Sequence, residues 1–206
     1  CGIELGLPHS MVYRQPFPVF MEVCVHPKPG LVTRHGSGAH TDMSILTFAA
    51  GSAVLAKAFS DLQILGMKHN GNYQELFGKV RRYGVSAEQE LLRVTKGVNT
   101  QRGILFAGGL LAAAAGAALN KGLDSKALCS IVAEMTQGLT ENELSGLQAD
   151  RPLTAGERLY QAYGITGIRG EVEAGFPSVR QNGLPGLKEA FAKGAGPVSY
   201  THLRAH

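Results

Sequence analysis

Polar residues with chemical capacity concentrate in four short stretches of this chain. "HPKPGLVTRHGSGAHTDM" (26–43) carries Lys28, Arg34, Ser37, His40 and Asp42. "TKGVNTQRG" (95–103) carries Asn99, Thr100 and Arg102, and "GITGIRGEVEAGFP" (164–177) carries Arg169 and Glu171. The fourth place is Glu88, with Glu90 beside it and Arg81 and Arg82 just upstream. Lysine and arginine among glycines suit phosphate, and arginine presents a fork that binds two oxygens at once. Asp42, Glu88 and Glu171 are oxygen donors of the kind that hold Mg²⁺ or take a proton, and Glu173 is a further oxygen donor. His40 is a candidate acid or hydrogen-bond donor. The chemistry these types share is the handling of a phosphorylated ligand.

Backbone type supports that reading. Pro29 pushes Lys28 out of α geometry, and Pro29-Gly30 fits the centre of a type II turn. Lys28 is therefore expected to project from stiff, extended chain. Gly36 and Gly38 allow close backbone approach around Ser37. Thr100 is expected to cap a helix whose free N–H groups form an anion site. Arg102 in that first turn would oppose the helix dipole by roughly 0.3–1 kcal/mol, a conflict that a bound phosphate removes. The same residues also fit a solvated Pro/Gly loop, plain helix caps and a glycine-rich connection. Glu88 in a first helical turn needs no function at all.

The 206 residues are 44% hydrophobic and 17% charged with a net charge of +4, which describes a globular chain. The mild positive charge favours an anionic ligand, but the basic residues form no dense run of the kind that binds nucleic acid. Cys1, Cys24 and Cys129 are far apart and make no CxxC pair, which suits a reducing cytoplasm and argues against a zinc or disulfide framework. The apolar run 104–119 is shorter than the ~20 residues of a membrane span. GxxxxGK[ST], GxGxxG and HExxH are all absent.

Helix start and stop signals fill the chain between these stretches. They predict helices over 42–59 (capped by Thr41 or Asp42, with Met43, Leu46, Ala50, Val54 and Phe59 inward), 73–83 (stopped at Gly84) and 87–96 (a Ser86/Gln89 capping box). Further helices are expected from Thr100 to Gly122, over 125–137 behind Asp124, over 155–163 behind a Thr154/Glu157 box, and from Pro185 to Gly194. Ala112–Ala115 and Gly116 mark 103–119 as a central helix that neighbours approach closely. Only "VFMEVCV" (19–25) reads as a strand, and one strand makes no sheet. The expected fold is all-α, a single-domain helical bundle over 21–194 with functional loops at helix starts. Residues 1–20 read as an irregular segment. The first residue is not Met, which predicts a fragment. The tail 195–206 reads as non-native adapter-like sequence and is set aside with His202 and His206.

Three blocks, "EVCVHPKPGLVTRHGSGAHTDM", "AEQELLRVTKGVNTQRG" leading into "FAGGLLAAAAG", and "YGITGIRGEVEAGFP", resemble the triphosphoribosyl-dephospho-CoA synthase family (CitG/MdcB type) in order, from about Glu22 to Leu187. That resemblance implies an all-α cytoplasmic transferase. ATP and 3′-dephospho-CoA would give 2′-(5″-triphosphoribosyl)-3′-dephospho-CoA and adenine. A separate transferase would then attach the product to the acyl carrier subunit of citrate lyase or malonate decarboxylase. It implies neither nucleic acid nor membrane as partner. A ribose 2′-hydroxyl must displace adenine at C1′ through an oxocarbenium-like state, which needs a carboxylate, an acid and cations along an uncleaved triphosphate. Lys28, Arg34, Ser37, Asn99, Thr100, Arg102 and Arg169 are then the expected substrate-binding residues. Asp42, Glu88, His40 and Glu171 are the expected catalytic set, with Asp42, Glu88 and Glu171 as Mg²⁺ ligands. The family commonly has Asn-Thr-His-Lys-Gly where this chain has Asn99-Thr100-Gln101-Arg102-Gly103. Arginine keeps the charge, but glutamine cannot replace histidine as an acid. The family also usually carries a helix before the Glu-Val segment and a longer C-terminal part. A related helical enzyme with another nucleotide or acceptor, or a non-catalytic nucleotide- or CoA-binding module, are the alternatives. On the family reading, the three loops should converge on one site.

Overall fold

Two prolines open the first element. Helix α1 (Pro16–Cys24) starts on Pro16 and has Pro18 two residues on. Neither proline breaks it, because the first N–H groups of a helix have no intrahelical acceptor. The segment expected as a strand, 19–25, is therefore mostly helical. Its β-branched and aromatic residues fit a period of 2, but Val19 and Val23 also recur at i and i+4, and Val23 is buried. The computed structural model describes residues 16–144 and 153–196. Most of the N-terminal segment and residues 197–206 of the tail lie outside those residues. Among the described residues there is no strand, only an isolated pairing of Thr33 with Gly36, so the fold is all-α.

Helix α2 (Ile45–Met67) begins at Ser44, whose N–H donates to the Thr47 hydroxyl at 3.1 Å. Thr41 and Asp42 lie ahead of the helix rather than capping it. The later start sets the phase of the buried face, which is Gly51, Ser52, Leu55, Phe59, Leu62 and Gly66, while Leu46 is 76% exposed. Helix α3 runs unbroken from Tyr73 to Val94. Gly84 does not stop it, and Ser86 donates to the Tyr83 carbonyl at 2.8 Å inside the helix instead of capping a new one. A glycine in a helix costs about 1 kcal/mol. That is less than the gain from burying Leu76, Val80, Ala87 and Leu91 along one continuous stripe. The helix ends with Lys96 in left-handed geometry (φ 54°) and Gly97 N–H bonded to the Leu92 carbonyl at 2.7 Å.

Helix α4 (Arg102–Asn120) is the central one. Its cap residue is Gln101, not Thr100, and the Thr100 hydroxyl is buried without a partner. A Cβ placed on Gly116 would fall on the Gln63 carbonyl oxygen of α2, and one on Gly66 would fall on the Ala113 carbonyl oxygen of α4. These two glycines let the α2 and α4 backbones touch. By length and composition both helices could cross a membrane. In this fold they are packed against each other in the core.

Shorter helices complete the bundle. After a 3₁₀ turn capped by Asp124, α5 (Leu128–Met135), α6 (Leu139–Leu144), α7 (Ala155–Tyr163), α8 (Gly167–Glu173) and α9 (Leu184–Ala192) follow. The Thr154/Glu157 capping box forms at the start of α7, and Gly164 ends it in left-handed geometry. The join between α6 and α8 positions the site. Glu173 accepts from the backbone N–H groups of Gly138 (2.6 Å) and Thr140 (2.9 Å), which satisfies the start of α6 from the end of α8. Burial pushes the Glu173 carboxyl up, but hydrogen bonds from Thr140, Gly138 and Leu139 outweigh it and hold the group below the ordinary carboxylate range.

Because the folded carboxyl is depressed, its stabilisation is present above the unfolded value near about pH 4.3 and is lost as pH falls through the folded value. Glu173→Gln should therefore cost about 1–2 kcal/mol at neutral pH. In urea titrations the gap to wild type should close in acid, and a gap independent of pH would remove the carboxylate's role.

Candidate functional site

One face of α3 and one face of α4 open between them a cavity of about 410 Å³. On α3 the lining residues are Phe77, Val80, Arg81, Gly84, Val85 and Glu88, which recur at helical spacing. On α4 they are Arg102, Gly103, Leu105, Phe106 and Gly109. Leu62 of α2 closes the floor, and Glu143 of α6 with Arg169 of α8 forms the far wall. A Cβ at Gly84 or Gly103 would meet nothing within 4 Å, so both positions are open. The result is an apolar floor with two phenylalanines under a rim of three arginines and two glutamates.

The rim charges are paired. Arg102 Nη2 lies 2.5 Å from Glu88 Oε1. Arg169 Nε donates to Glu143 Oε2 at 2.6 Å, and Arg81 pairs with the other oxygen of the same carboxylate. Arg81 also lies over the Phe77 ring, 5.6 Å from its centroid. The Arg81 and Arg102 side chains are about half exposed, at 53% and 50%. Ion pairs this wet contribute only about 0–1 kcal/mol each. The guanidiniums are thus held in place but not strongly committed.

Glu88 sits in the middle of α3, so its partner is Arg102 rather than the free N–H groups of a first turn. The expected conflict of Arg102 with the α4 dipole is relieved by Glu88 itself. Neighbouring Gln101 is only 2% exposed, donates to Ser52 Oγ at 3.2 Å, and packs against Gly51. The departure at 101 is therefore a buried one, and the side chain at 102 is the one that lines the cavity.

The stretch 26–43 is arranged separately. The Pro29-Gly30 turn forms, with Gly30 at φ 74° and Leu31 N–H bonded to the Lys28 carbonyl at 3.2 Å. Lys28 does not project from it. Its side chain is 4% exposed, and the ammonium donates to the Glu22 carbonyl (2.8 Å) and carboxylate (3.1 Å), tying off the end of α1. A carbonyl at a helix C-terminus is a natural ammonium acceptor, and one lysine turned inward satisfies it. Lys28 with His26, Leu31, Thr33, His35, Gly36 and Gly38 lines a second cavity of about 200 Å³. Arg34 donates to His35 Nε2 at 3.0 Å, and the His26 and His35 rings meet edge to face. His40 Nδ1 lies 3.7 Å from Asp42 Oδ1 ahead of α2.

Of the residues expected at one site, Glu88, Arg102 and Arg169 line the larger cavity and Lys28 the smaller. Arg34, Ser37, His40, Asp42, Asn99, Thr100 and Glu171 line neither. Of the three loops expected to converge, 95–103 and 164–177 each bring an arginine to the larger cavity, while 26–43 lines a different one. Glu171 accepts from both the backbone N–H and the hydroxyl of Ser178 at 2.9 Å, which fixes the turn after α8. Asp42, Glu88 and Glu171 do not gather into a donor set, and no group of three or more His, Cys, Asp or Glu suited to a metal occurs among the described residues. The described side chains therefore do not form a dedicated Mg²⁺ cage. Glu143 has no signal in the sequence, since "TENEL" reads as an ordinary solvated helix face. Arg81 is visible there only as nearby positive charge.

A family model described as ATP:dephospho-CoA triphosphoribosyl transferase matches residues 19–206, a span that includes the tail read from sequence as non-native. A "2-(5''-triphosphoribosyl)-3'-dephosphocoenzyme-A synthase" of Pectobacterium atrosepticum is 41% identical over 177 residues, covering 84% of this chain and 58% of that protein. Proteins named as probable synthases of the same kind are 43% identical over 178 residues in Pectobacterium carotovorum subsp. carotovorum (85% of this chain, 58% of the relative) and 41% identical over 189 residues in Malonomonas rubra (89% and 60%). The chain spans about 60% of the length of these curated relatives. No solved structure matches it. With its all-α core and this match over most of its length, the chain belongs to the ATP:dephospho-CoA triphosphoribosyl transferase family.

Proposed function

We propose that this chain carries the nucleotide-handling core of a triphosphoribosyl-dephospho-CoA synthase, transferring the 5-triphosphoribosyl group of ATP to the ribose 2′-hydroxyl of 3′-dephospho-CoA with release of adenine. The observation that carries this reading is the rim of Arg81, Arg102 and Arg169 above the Phe77/Phe106 floor. Guanidiniums suit the triphosphate, and the apolar aromatic floor suits a base or ribose. A cavity near 410 Å³ is at the lower end of the ~300–1,000 Å³ of small-ligand sites, so it takes one nucleotide and not two. Mg²⁺ would arrive as the metal complex of ATP, not in a site built from protein carboxylates.

Glu88 is the cavity carboxylate held by a single guanidinium, where Glu143 is held by two, and it is the candidate to take the proton of the attacking hydroxyl or to face the developing charge at C1′. The His40–Asp42 pair stands as a second acid–base group on the 26–43 stretch. Holding donor and acceptor in line could supply up to about 7–11 kcal/mol of the barrier reduction. The product would be the precursor of the prosthetic group on the acyl carrier subunit of citrate lyase or malonate decarboxylase, attached by a separate cytoplasmic transferase.

The test is incubation with ATP and dephospho-CoA. Free adenine together with dephospho-CoA heavier by one triphosphoribosyl group is the expected result. Adenine or phosphate release without that product would instead favour another acceptor, and binding without turnover would mark a non-catalytic module.

A further inference from the structure

The rim of the larger cavity has an arrangement that positive charge alone does not require. Glu143 is the least exposed of its ionic side chains, at 22%, and spends both carboxylate oxygens on two guanidiniums that come from different elements. Arg81 stands on α3 and Arg169 on α8, and Glu143 on α6 bridges them. Glu88 holds only one guanidinium, Arg102, through Oε1. Three arginines against two glutamates leave a net charge of only +1 at the rim, far short of a triphosphate. An anionic ligand brought to these guanidiniums also meets the Glu143 carboxylate within the same few ångströms, where like charges repel strongly. The carboxylate and the ligand want the same N–H donors.

We propose that Glu143 is an internal stand-in for phosphate. It occupies and orients Arg81 and Arg169 in the empty cavity and is displaced from them when a polyphosphate binds. The relative strengths of the two kinds of contact favour this exchange. The Arg81 end of this bridge is half exposed, and ion pairs that wet are weak, whereas a polyphosphate offers more charge and several oxygens in the geometry that the arginine fork binds. Glu143 is thus a positioning and specificity residue. It keeps the arginines from scattering when empty, and it admits only ligands with enough negative charge to displace it. A monoanion or a neutral sugar gains too little.

The inference rests on the reading that this cavity takes a polyphosphate, but its test does not need the transfer reaction. Binding of inorganic tripolyphosphate to the full chain would be measured by titration calorimetry in EDTA at fixed ionic strength. Removing the competing charge by Glu143→Gln should tighten binding by about tenfold. The gain should vanish in an R81Q/R169Q background. A residue that merely scaffolds the arginines would give the opposite sign, so unchanged or weaker binding by E143Q overturns the proposal. A gain that persists without both arginines overturns it too. Should E143Q fail to fold, Glu143→Asp keeps the charge but is one methylene too short to bridge both partners. It should tighten binding in the same direction by a smaller factor, and weaker binding by E143D overturns the proposal. Tighter tripolyphosphate binding without adenine release would sink the transferase reading and leave this one standing. Adenine release with no effect of E143Q on binding would do the reverse.

Discussion

Glu88→Gln is expected to slow adenine release by about two to four orders of magnitude, the range for removal of a positioned general base. The substitution is nearly isosteric, and glutamine can still accept a hydrogen bond from Arg102 through its remaining oxygen. What it loses is the ability to take a proton and to stabilise positive charge at C1′. The thermal midpoint should barely move, because the Glu88–Arg102 pair is wet and worth little. The KM for ATP should hold or fall, since one negative charge leaves the rim. A kcat within threefold of wild type would exclude Glu88 from the chemistry. Asp42→Asn measured alongside would then show whether the His40–Asp42 pair carries it.

The second large effect concerns the core. Gly116→Ala should destabilise the chain by about 1–3 kcal/mol, the usual cost of forcing extra volume into a packed interior. Intrinsic helix preference points the other way, favouring alanine by up to about 1 kcal/mol. It loses here because the added Cβ meets the backbone of Gln63 and Met67 rather than a side chain that could rotate aside. Helices α2 and α4 would have to separate. A fall of about 2–4 °C in melting temperature per kcal/mol is expected for a chain this long. Gly78→Ala on α3 is the matched control. There a Cβ meets only the end of Arg82 at 3.7 Å, so helix preference should prevail and stability should rise by about 0.5–1 kcal/mol. If both glycines tolerate alanine equally, the close crossing of α2 and α4 is not what those residues are for.

The two predictions sit on features of different visibility. Gly116 lies in a run of alanines, and small residues at helical spacing are themselves the mark of a close helix crossing. Glu88 stands out as a candidate by residue type, but its environment does not. Gly84 looks like a stop and Ser86 like a cap, which would put Glu88 in a first turn. Continuous burial of Val80, Ala87 and Leu91 carries α3 through both signals. A similar override makes a helix of 16–24, where prolines in a first turn do no harm.

Local hydrogen bonding determined from the sequence alone that this chain is all-α, and where several of its helices begin and end. Thr154 with Glu157, Asp124, Gly164 and the Pro29-Gly30 turn all act within a few residues of themselves. No neighbour further along the chain is needed to satisfy them, so they can be read directly. Which charges meet was decided only by tertiary structure. Lys28 turns inward to a carbonyl, Glu173 caps a helix 33 and 35 residues away, and Glu143 joins Arg169 across 26 residues and Arg81 across a longer span still. Ionic pairs are non-directional enough to form wherever packing brings opposite charges together. They leave no period or spacing in the sequence, and only the stacking of α3, α4, α6 and α8 fixes the rim of the cavity.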